Sequence, residues 1–84
     1  MDDDSPITAL RVDKILAELR IADAVRIHAD ALLCLEEAVE SGDDLDAAGR
    51  RYLDARVEQI RARLALEAAR DALRRALPLV SYWR

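Results

Sequence analysis

The chain is predicted to be all-α, an antiparallel two-helix hairpin of coiled-coil character that dimerises into a four-helix bundle. Three features of its 84 residues carry that prediction. Breakers are scarce: there are two Gly and two Pro, and the one strong interior turn signal is Ser41-Gly42-Asp43-Asp44. Apolar residues recur in steps of three and four over most of the length, the period of helices that pair. Charge is segregated about the turn. Residues 1–46 hold thirteen acids against four bases, a net of −9, and residues 47–84 hold four acids against nine arginines, a net of +5. An acidic helix folding back on a basic one is the simplest arrangement.

The elements follow in order. Residues 1–5 are an acidic lead ending in Ser5, an N-cap residue, with Pro6 at the first helical position. No breaker follows until the turn, so the first helix is expected from Pro6 to Glu40. Gly42 suits the left-handed position just past a helix end. Asp43 or Asp44 then caps the second helix, which is expected to run to Leu77, where Pro78 stops or kinks it. The hairpin thus spans residues 6–77, and residues 78–84 form an apolar, aromatic tail. Tyr82 and Trp83 make that tail either a cap on the bundle end or a docking segment, since aromatics and Arg dominate binding hot spots.

The second helix reads Leu45, Ala48, Tyr52, Ala55, Gln59, Ala62, Leu66, Ala69, Leu73, Ala76 and Val80 along one seam. Alternate layers are Ala, which lets two backbones approach closely. The first helix offers Val12, Ile15, Leu19, Ala22, Arg26, Ala29 and Leu33, and this stripe is expected to face the second. Asp23, Asp30 and Glu37 flank the first seam, and Arg56, Arg63 and Arg70 flank the second. A hairpin turning near residue 43 aligns positions whose numbers sum to about 86. It therefore predicts two cross-helix ion pairs, Asp30–Arg56 and Asp23–Arg63.

Each helix carries a further apolar stripe: Ile21, Val25, His28, Leu32, Leu35 and Val39 on the first, Leu53, Val57, Ile60 and Leu64 on the second. A two-helix hairpin buries one stripe per helix, so these residues, with Tyr82 and Trp83, are the candidate partner-binding surface. The apolar area left over exceeds what monomers expose. The partner is a second copy, closing a two-fold bundle, or a larger helical protein.

Little else points to chemistry. His28, the only histidine, reads as a core or interface imidazole; the sharper alternative is a haem or metal ligand in a bundle. Cys34 lies outside i+3 or i+4 of His28 and reads as a small apolar residue. The acids Glu36, Glu37, Glu40, Asp43, Asp44 and Asp46 lack a calcium-loop pattern and read as a solvated turn. No nucleophile lies near the histidine and no glycine-rich phosphate loop occurs, so no enzyme activity, cofactor or metal is expected. Acids at helical spacing around Arg50, Arg51, Arg61, Arg63, Arg74 and Arg75 should neutralise the second helix internally, which disfavours nucleic acid. The alternative function is a small accessory subunit of a nucleic-acid-processing enzyme, its Arg face near phosphate. The acidic N-terminus with no apolar run after it, the absence of a membrane span and a lone cysteine suggest a cytoplasmic protein.

Two partial resemblances exist. Glu40-Ser41-Gly42-Asp43-Asp44-Leu45, with Tyr52 after it and Leu32, Leu35 and Val39 before, resembles the helix–turn–helix of exodeoxyribonuclease small subunits. Ala55 stands where that family places a glycine, and the paired Leu-Glu run is incomplete. In architecture alone the chain resembles the short two-helix co-chaperones of bacterial secretion systems. Both imply a non-catalytic helical subunit, and the reading overall is a helical protein-interaction or assembly module.

Overall fold

The computed structural model describes the backbone of residues 6–82 and the side chains of residues 6–78. It holds two helices, α1 (Pro6–Ser41) and α2 (Leu45–Tyr82), packed against each other as a hairpin. Ser5, the expected cap of α1, lies outside the described residues, as do Trp83 and the side chain of Tyr82.

The turn is built by two left-handed residues. Gly42 sits at φ 77°, and its N–H donates to the Ala38 carbonyl at 2.7 Å, closing the last turn of α1. Asp44 sits at φ 48°, a region that Asp tolerates better than most side chains. Its carbonyl accepts the first bond of α2 from the Ala48 N–H at 3.0 Å. The Asp43 N–H donates to Ser41 Oγ at 3.3 Å. α2 does not stop before Pro78. The proline lies inside the helix, which continues to Tyr82. Pro78 has no N–H to donate to the Arg74 carbonyl, so one ladder bond is lost there, and the helix carries on for its last turn.

The core differs from the expected one in α1. The buried residues of α1 are Ala17, Ala24, Ala31 and Ala38, seven apart. Between them Lys14, Ile21, His28 and Leu35 are half-buried. The expected seam lies two positions away, and its Val12, Ile15, Leu19 and Leu33 are all exposed, Leu19 to 62%. Two residues at about 100° each turn the helix to nearly its opposite side. The α2 seam is the expected one, with Ala55, Ala62 and Leu66 buried and Ala48, Tyr52, Gln59, Ala69 and Leu73 half-buried; Leu45, at its start, is exposed.

Alanine shape explains the choice. The α1 row at 17, 24, 31 and 38 meets the α2 row at 48, 55, 62 and 69 in pairs whose numbers sum to 86. Matched methyl groups let two backbones approach along the whole hairpin, whereas a Leu/Ile/Val stripe would hold them apart. The centre of this contact is fully enclosed: Ala62 is 0% exposed and Ala24 2%.

The molecule is thin. It measures 64 × 22 × 13 Å with a radius of gyration of 18.8 Å, against about 12 Å for a compact domain of this length. One dimension is the width of a single helix, so the hairpin is one layer, where stable domains use at least two.

Candidate interaction surface

An alanine seam leaves the large side chains outside. Fifteen of the twenty-one Leu, Ile and Val residues between positions 6 and 78 are exposed, and only Leu66 is buried. The accessible area is 6546 Å². A compact monomer of 9.4 kDa exposes about 5000 Å².

The two broad sides of the hairpin differ in degree. One is the more polar, although Leu10, Leu16, Ala65, Ala68 and Ala72 line a groove there with Asp13 and Arg20. On it Arg20 Nε donates to Glu58 Oε2 at 2.8 Å and Arg20 Nη2 to Glu58 Oε1 at 3.1 Å, a two-point pair between helices. That hydrogen bonding holds the Glu58 carboxyl below its ordinary range and raises the Arg20 guanidinium. Arg51 Nη1 approaches Cys34 Sγ at 3.8 Å on the same side. Asp23, Asp30 and Glu37 follow Arg20, Ile27 and Cys34 by three residues, so helical spacing puts them on this side too.

The other side is the more aliphatic, with charge interspersed. Leu73, Leu77 and Pro78 share one shallow groove there with Lys14, Arg70 and Arg74, and Leu35 and Val39 line another with Glu36 and Glu40. Val25, Leu32 and Val39 lie four residues beyond the half-buried Ile21, His28 and Leu35, and all three are exposed. Leu53, Val57, Ile60 and Leu64 are exposed on α2, Leu53 to 59%. Arg56, Arg63 and Arg70, seven apart, run between this stripe and the seam.

These positions account for the ion pairs. Neither Asp30–Arg56 nor Asp23–Arg63 forms, because the rotation of α1 carries the acids to the polar side and leaves the arginines on the apolar one. Arg26 pairs with Asp23 within α1 instead, and that hydrogen bond, with Asp30 nearby, raises its pKa. Of the internal pairs expected for α2, direct contact among the described residues forms at Asp71, which pairs with Arg74 at 2.9 Å and Arg75 at 2.7 Å, while Arg61 acts on Glu58 through its charge. Glu58 is taken by Arg20. Among the described residues Arg20–Glu58 is the only ion pair between the helices, and its polarity is opposite to the net charges of the segments.

The structure therefore divides the sequence-predicted surface. Val25, Leu32, Val39, Leu53, Val57, Ile60 and Leu64 are exposed, while Ile21, His28 and Leu35 turn partly into the seam. The His28 ring lies 4.9 Å from that of Tyr52, its buried Nε2 without a hydrogen-bond partner. Tyr82 and Trp83 as candidate contacts lie outside the described side chains. Val12, Ile15, Leu19 and Leu33 join the exposed set, having been assigned to the seam. The signal that locates them is the strict seven-residue alanine period of α1, which matches that of α2.

Among the described residues no group of three or more His, Cys, Asp or Glu side chains gathers to hold a metal, and no helix is long and apolar enough to cross a membrane. No protein family, curated protein or solved structure matches the chain.

Proposed function

We propose that this chain is a non-catalytic helical assembly module, acting in the cytoplasm by joining its apolar side to a second copy of itself or to a larger helical protein. The observation that carries the reading is the exposure of fifteen large aliphatic side chains on a hairpin whose core is almost entirely alanine. Burying that area is the main source of free energy available to the chain, and a single layer cannot supply it internally. Mass action makes the reading testable: a protein stabilised by association melts at a temperature that rises with concentration. The wild type should show that rise over a hundredfold range. Ile60→Glu, at an exposed position of α2, should keep helical circular dichroism and lose the rise. A concentration-independent melting temperature with a monomeric mass contradicts self-assembly.

One observation favours a second reading, the accessory subunit of a nucleic-acid enzyme: Arg56, Arg63 and Arg70 form a row that makes no ion pair among the described residues. Phosphate contact would make retention on DNA fall steeply with salt. Retention that is absent at low salt removes that reading.

A further inference from the structure

We draw no further inference here: the strongest candidate, the aliphatic broad side of the hairpin where exposed Val25, Leu32 and Val39 of α1 lie beside the row Arg56, Arg63 and Arg70 of α2, is an unpartnered face, and nothing in the structure shows what covers it.

Discussion

Replacing Ala62 by Leu should destabilise the protein even though Leu is more hydrophobic and nearly as good a helix former. Ala62 is 0% exposed and meets an α1 row in which Ala24 is 2% exposed. The substitution adds three carbon atoms where no free volume remains. Helix propensity changes by only a few tenths of a kcal/mol, so the loss reports packing. Forcing extra methylenes into a close-packed seam costs about 1–3 kcal/mol, because the helices must separate and every alanine layer nearby loses contact. For a chain of this size that is a fall in melting temperature on the order of 5–20 °C. Ala68→Leu, at an exposed position on α2, is the matched control and should change stability by no more than about 0.5 kcal/mol. Urea unfolding followed by circular dichroism at one fixed protein concentration, with equal m values required, reads both. Ala62→Leu equal to or more stable than the wild type would refute an alanine-packed seam.

Three further outcomes follow from the same structure. Gly42→Ala should cost about 1–2 kcal/mol, because φ 77° is left-handed, and chemical denaturation measures it. Asp44→Gly should stabilise by a few tenths to about 1 kcal/mol, relieving a side chain held at φ 48°; a loss would show that the Asp44 side chain contributes more than its strain. Glu58→Gln tests the Arg20 pair by pH. The Glu58 pKa is lowered in the fold, so its contribution is present above the ordinary value of 4.5 and disappears as pH falls through the folded value. Wild type and variant should therefore differ near neutrality and converge in acid. A difference that grows on acidification contradicts the pair.

Much of this architecture is legible in the residue order. Pro6 and Gly42 bound α1 within a residue, and the α2 seam from Ala48 to Leu73 is where its heptads put it. The rotation of α1 is not, because ranking stripes by hydrophobicity favours Val12, Ile15, Leu19 and Leu33 over a row of alanines. Packing of two long helices is decided by how closely backbones fit, and the α1 alanines match those of α2 in both period and height. The cross-helix ion pairs failed with that rotation. Arg56, Arg63 and Arg70 would meet acids only if α1 presented its other side. α2 runs past Leu77 with Pro78 inside it, losing the single ladder bond to the Arg74 carbonyl. The apolar surplus was legible, and its size is larger than the stripes alone indicate, since the seam takes so few of the large residues.

Light-scattering mass over a range of concentrations from low micromolar upward tests most directly whether the exposed aliphatic face is covered by another copy. The expected result is a plateau at twice the 9.4 kDa chain mass. A constant 9.4 kDa across the range, in a protein that remains helical and in solution, would contradict it.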